Sequence, residues 1–205
     1  FLDGEALPAL NEWFAHVPRG GAVTLTATRQ QRTPTETQLV FCPQDILLGV
    51  GCARGAAADE VIDLVMAELQ TANINAASIV AVVTADIKAD EPAIHALASM
   101  LAVPLRVFDR DVLAAETDRL ENPSQVVFDE IGVHGVAEAA ALAAAGPEGK
   151  LIHPKAKSGN ATMALAQAGT FPLPALPGRK PGRVMLIGIG PGKAEWRTPE
   201  ASQMI

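Results

Sequence analysis

From Asp45 onward, blocks of apolar residues alternate with polar turns, and their lengths predict strands and helices in turn. Ile46–Val50 is a continuous apolar run, the pattern of a strand buried on both faces. A helix is predicted over about Ala57–Leu69, where Val61, Ile62, Leu64, Val65 and Leu69 form one apolar face, and Asn73 and Asn75 end it. Ile79–Val83 is the next buried strand. Pro92 fits the first turn of a helix running to about Ala102. Leu105–Phe108 reads as a third strand, with Asp109 placed to cap a short helix. Asn122-Pro123-Ser124 opens a further helix reaching about Ile131. Gly135 precedes the alanine-rich helix Val136–Ala145, which Gly146-Pro147 terminates. Lys150–His153 and Ala161–Gln167 complete the set as a hairpin-like pair of strands. The order predicts an α/β fold, a three-layer αβα domain whose sheet is mostly parallel and made mixed by that final pair.

The flanks read differently. Residues 1–44 hold one strand pattern, Ala22–Thr28, and an extended tail, Thr35–Cys42, so this piece reads as the end of another region. Trp13 and Phe14 are expected to pack against whatever precedes them. Residues 45–169 form the main domain. Residues 170–182 carry Pro172, Pro174, Pro177 and Pro181 with two glycines and read as a stiff linker. Residues 183–205 begin a new strand, Arg183–Ile189, followed by a Gly-Pro-Gly turn. The start at Phe1 and the end at Ile205 give both termini the look of cuts from a longer polypeptide.

Composition narrows the function classes. Hydrophobic residues make up 49% of the 205 and charged residues 19%, which is a globular balance. The net charge of −7 argues against general affinity for nucleic acid, so cations serving an anionic ligand must be gathered locally. Cys42 and Cys52 read as free thiols of a reducing cytoplasm. No stretch has the roughly 20 apolar residues of a membrane helix. His16, His95, His134 and His153 show no ligand spacing, and no metal site is expected.

Three segments carry candidate chemistry. GVGCARG, Gly49–Gly55, places glycines between a strand and a helix, where backbone N–H groups and the helix dipole favour an anion. It matches neither Walker A nor the dinucleotide fingerprint, and taken alone such a run is more often a plain tight turn. Arg54 tips it towards an anion site. TADIKADEP, Thr84–Pro92, stands at the carboxyl end of the next strand, the edge where open α/β sheets bind ligands. Asp86, Lys88, Asp90 and Glu91 are dense there; the plainer reading has Asp90 and Glu91 capping the Pro92 helix and Lys88 solvated. HPKAKSGNAT, His153–Thr162, offers Lys155 and Lys157 as cations and Ser158, Asn160 and the backbone of Gly159 as directional donors. Alternation along an extended strand would bring the two lysines to one face. For Gly159 and Asn160 a solvated turn, with Asn160 in the left-handed conformation, is the stronger reading.

Taken in order, GVGCARG, TADIKADEP, NPSQVVFDEIGVHGVAEAAAL and HPKAKSGNAT resemble the CbiG C-terminal domain and CobE family of cobalamin biosynthesis over about Asp45–Gly169. Ala53 stands where that family commonly has arginine, and Gly135 where it commonly has serine. Residues 1–44 resemble the tail of the CbiG middle region. GRVMLIGIGPGKAEWRTPEA resembles the opening of a tetrapyrrole methylase, the precorrin-3B C17-methyltransferase type, truncated here. The resemblance implies a polycarboxylate precorrin as ligand. Other corrin-pathway enzymes are implied as partners, with neither nucleic acid nor membrane among them. In CbiG-type proteins it implies hydrolysis of the cobalt-precorrin-5A lactone with release of acetaldehyde. Gly51, Cys52, Arg54, Gly55, Thr84, Lys88, Lys155, Lys157, Ser158, Gly159 and Asn160 would then bind the substrate. Glu91 or Asp86 would serve as base, and the backbone of Cys52–Gly55 as oxyanion donor. No cofactor is expected for this domain; S-adenosylmethionine would serve the fused methyltransferase, whose accessory this domain would be in the alternative reading.

Overall fold

The computed structural model describes residues 2–4, 22–125, 128, 132–170, 173, 175–182 and 198–199. At its centre is a five-stranded sheet built from β4 (Ile46–Cys52), β5 (Ile79–Ala85), β6 (Leu105–Phe108), β7 (Lys150–Lys157) and β8 (Ala161–Gln167), in the order β6-β5-β4-β8-β7. β4 pairs in parallel with β5, and β5 with β6. β8 runs antiparallel to both β4 and β7. The sheet is mixed, as expected. The carboxyl ends of β4, β5 and β6 therefore share an edge with the β7–β8 turn, because Cys52 is paired with Ala161.

Helices cover both faces. α1 (Ala58–Thr71) and α2 (Pro92–Met100) bury Val61, Val65, Leu69, Ile94 and Leu97 on one side, against Ile46, Leu48, Val50 and Met163. α3 (Arg110–Ala114) and α4 (Val136–Ala145) cover the other side, against Leu47, Ala81 and Val83. α4 lies so close to β4 that a Cβ on Gly49 would stand 1.9 Å from the carbonyl oxygen of Ala137. This explains both the glycine in the strand and the alanines in the helix: small groups on each partner allow the approach. Pro92 begins α2 as expected, and Asn73, at φ 54°, takes the left-handed conformation just beyond α1.

Two expectations need correction. β7 does not stop at His153 but continues to Lys157, through Pro154. It is the outer strand of the sheet, and its register shifts between His153 and Ala156, which lets an edge strand carry a proline. Asp109 precedes α3 without capping it; its carboxylate binds Arg179. Within the stretch read as a linker, Arg179 and Val107 exchange backbone hydrogen bonds of 2.9 Å, which ties Arg179 to β6.

Residues 22–45 carry β2 (Thr24–Ala27) and β3 (Gln38–Phe41), which join β1 (Leu2–Gly4) in a small parallel sheet of order β1-β2-β3. β1 escaped the sequence pattern, while β2 lies within the expected strand Ala22–Thr28. A bidentate pair from Arg29 to the buried Asp45 ties the segment to the start of β4. Gln31 N–H to Asn73 O and Asn75 N–H to Arg29 O tie it to the end of α1. The helix expected over residues 122–131 and the strand over 183–189 lie largely or wholly outside the described residues.

Candidate functional site at the carboxyl edge

Two of the three candidate segments meet around a buried carboxylate. Glu91 is 1% exposed and occupies the position before α2, yet its side chain does not cap that helix. It turns instead to the β4–α1 turn, where Oε2 accepts the Gly55 N–H at 3.1 Å. Oε1 accepts no hydrogen bond, but faces Arg54 Nη1 at 3.0 Å and Lys88 Nζ at 3.8 Å. Burying one charge is costly, and these two cations offset it. Lys88 is accordingly only 16% exposed and is no solvated surface lysine.

Arg54 braces the same loop from outside. Nη1 also binds Asp90 Oδ1 at 2.7 Å, and Nη2 donates to Ile87 O at 2.9 Å. That hydrogen bond holds the Asp90 carboxyl below its ordinary range. Asp86 bonds the Ile87 N–H through its own Oδ1 at 2.7 Å, and its Oδ2 is 3.8 Å from Arg179 Nη2. Cys52 is half-buried at the end of β4. Burial pushes its thiol up, Glu91 adds to the rise, and Lys88 and Arg54 oppose it. A thiol in that state is a poor nucleophile at neutral pH.

The third segment arrives through the β7–β8 turn, and a residue the sequence reading passed over fixes it. Glu60, in the first turn of α1, accepts Ser158 Oγ–H at 2.6 Å, Asn160 N–H at 2.7 Å and Asn160 Nδ2–H at 3.0 Å. These bonds hold the Glu60 carboxyl below its usual range. Asn160 O in turn accepts the Ala53 N–H at 2.8 Å, so the hairpin and the glycine turn are joined directly. Gly159 sits against Glu60, and a Cβ there would be 3.5 Å from Oε1. Lys157 is exposed at the end of β7, and it makes no ion pair among the described residues.

Other candidates serve the frame. The Thr84 hydroxyl is fully buried and donates to Val50 O at 2.7 Å. Gly51 admits Thr162, whose Oγ1 would lie 2.8 Å from an added Cβ. Lys155 stands apart from Arg54 and Lys88: its N–H binds Glu138 Oε1 at 2.8 Å and its Nζ binds Asn122 O at 2.7 Å. Glu138 is the second missed acid, buried in the first turn of α4. Its Oε2 takes the N–H groups of Glu121 and Asn122, both at 3.0 Å, and its Oε1 also takes Asn122 Nδ2–H at 2.9 Å. Burial pushes its carboxyl up, but the hydrogen bonds together outweigh burial and hold it low. A single charge inside VAEAAALAAA was the available signal.

Comparison with known proteins decides what kind of domain this is. The family model described as cobalamin synthesis G C-terminus matches residues 46–166. The chain belongs to that family. It is thus a protein of cobalamin biosynthesis. Protein CobE of Sinorhizobium sp is 46% identical over 126 residues, covering 62% of this chain and 82% of the relative. Cobalt-precorrin-5A hydrolase of Priestia megaterium is 30% identical over 141 residues, covering 67% of this chain but only 36% of that protein. A crystal structure of CobE, a protein from the cobalamin (vitamin B12) biosynthetic pathway, is 35% identical, with a TM-score of 0.57. It covers 61% of this chain and 91% of its own. The shared part is the five-stranded sheet with its helices, which also carries all three candidate segments. No helix among the described residues is long and apolar enough to cross a membrane. Nor is any group of His, Cys, Asp and Glu among them gathered as a metal-binding cluster.

Proposed function

We propose that the carboxyl edge of this family domain binds a polycarboxylate intermediate of corrin construction. The carrying observation is that a chain of net charge −7 brings Arg54, Lys88 and Lys157, from three separate segments, to one sheet edge. Such cations hold carboxylates by charge-assisted hydrogen bonds, and a tetrapyrrole rim of acetates and propionates presents several at once. The family's place in cobalamin biosynthesis and the likeness to CobE support the ligand class.

Binding is favoured over lactone opening as the domain's own role. Two of the backbone N–H groups that an oxyanion would draw on are already engaged, Ala53 with Asn160 O and Gly55 with Glu91. The hydrolase relative is matched over about a third of its length, so that reaction would draw on further polypeptide. In such a longer protein, the Glu91 carboxylate would serve as the general base.

The test compares two corrinoids by absorbance titration: cobyrinic acid, with free carboxylates, and cobinamide, with amides in their place. The acid is expected to bind more tightly, to weaken with added salt, and to lose affinity in Lys88→Ala and Lys157→Ala. Equal affinity for both corrinoids, or binding of neither, would overturn the proposal.

A further inference from the structure

Arg54 and Arg179 come from distant parts of the chain and brace neighbouring points of one loop. Arg54 holds Ile87 O and Asp90, while Arg179 faces Asp86 and binds Asp109. Asp86 and Ile87 are adjacent, with Cα atoms about 3.8 Å apart. Each arginine combines a fixed tie with a replaceable one. For Arg54 the fixed ties are the buried Glu91 and Ile87 O; for Arg179 they are the two backbone bonds to Val107. The replaceable partners are Asp90 and Asp109, whose side chains are 79% and 56% exposed. Both arginine side chains are 61% exposed.

Water screens such exposed pairs, so each contributes little to the fold, and another carboxylate of similar geometry can take the aspartate's place at small cost. We propose that Asp90 and Asp109 are place-holders, occupying Arg54 and Arg179 until two carboxylates of the ligand replace them. Arg179 is then a further carboxylate receptor of this edge, supplied from beyond β8. The arrangement also discriminates. A monocarboxylate exchanges one exposed pair for another, whereas a rigid polycarboxylate that replaces both gains from the second contact being intramolecular. The inference rests on the binding reading above and goes on to name the groups that gate it.

The experiment titrates the full 205-residue chain and four variants with cobyrinic acid at fixed low salt. Asp90→Asn and Asp109→Asn are each expected to tighten binding by about two- to fivefold, the size of a lost exposed pair. Arg179→Ala is expected to weaken it by about tenfold, as for a lost charge-assisted bond, with partial recovery in Arg179→Lys. The sign separates this from a bracing role, in which removing either aspartate loosens the loop and weakens binding. Unchanged or weaker affinity in the asparagine variants, or wild-type affinity in Arg179→Ala, overturns the inference while leaving the binding reading intact. Absence of binding by the unaltered chain removes both.

Discussion

Glu91 and Glu138 are both buried carboxylates next to helix N-termini, and the protein treats them in opposite ways. Glu138 receives four hydrogen bonds over its two oxygens, from Glu121, Asn122 and Lys155, and is closed off by them. Glu91 has one such bond, from Gly55, and leaves Oε1 facing cations without a directed hydrogen bond. The first arrangement spends every acceptor on the frame, fastening the loop before α4 to β7. The second keeps an acceptor in reserve beneath a surface of arginine, lysine and aspartate. A buried acid completely served by hydrogen-bond donors marks structure; one balanced by side-chain cations marks the place where chemistry or binding can enter.

The contrast breaks most visibly on stability. Glu138→Ala strands four donors and should lower unfolding free energy by about 3 kcal/mol or more, read from urea denaturation. Glu91→Ala should cost about 1 kcal/mol, because one backbone donor, the Gly55 N–H, is left unpaired and the two cations can turn to water. Equal losses would mean that Glu91 is part of the frame. Next in size is the acid response. The Glu138 carboxyl lies lower in the folded chain than in the unfolded one. Its contribution is therefore complete above the unfolded value of about 4.3 and is lost as pH falls through the folded value. Glu138→Gln should accordingly differ most from the unaltered chain near neutrality, and the gap should close below pH 4 or so. A gap that widens in acid would contradict the assignment.

The smallest effect concerns Cys52. Burial is the main reason its thiol is held up, and the charge of Glu91 is the second. Glu91→Gln should bring the thiol down, visible as faster alkylation of the Cys52 peptide between pH 7 and 9. No change would indicate that the Glu91 charge does not reach the thiol.

The sheet was legible because its signals are local. Leu105–Phe108, Val136–Ala145 and Ala161–Gln167 are bounded in the structure as periodicity and their Gly or Pro punctuation bound them in the sequence. Pro154 misled, since a proline ends a central strand but not the outer one. The convergence of GVGCARG and TADIKADEP followed from the rule that ligands gather at carboxyl ends of parallel strands. What could not be read were partnerships across distance. Glu60 meets Ser158 and Asn160 from about a hundred residues away, and Arg179 reaches Asp109 across about seventy. Two of the donors read as facing a ligand, the Ser158 hydroxyl and the Asn160 amide, turn out to bond to Glu60. Sequence identified the chemistry of these groups but not which of it was already taken.

Chemical-shift mapping tests the location of the binding edge most directly. Isotope-labelled protein titrated with cobyrinic acid should show its largest amide shifts at Gly51–Gly55, Asp86–Glu91 and Lys157–Asn160. A groove at the opposite end of the sheet, lined by Ala144, Gly146, Glu148, Thr170 and Leu173, is the internal control. Shifts concentrated there, or no shifts at the carboxyl edge, would contradict the account.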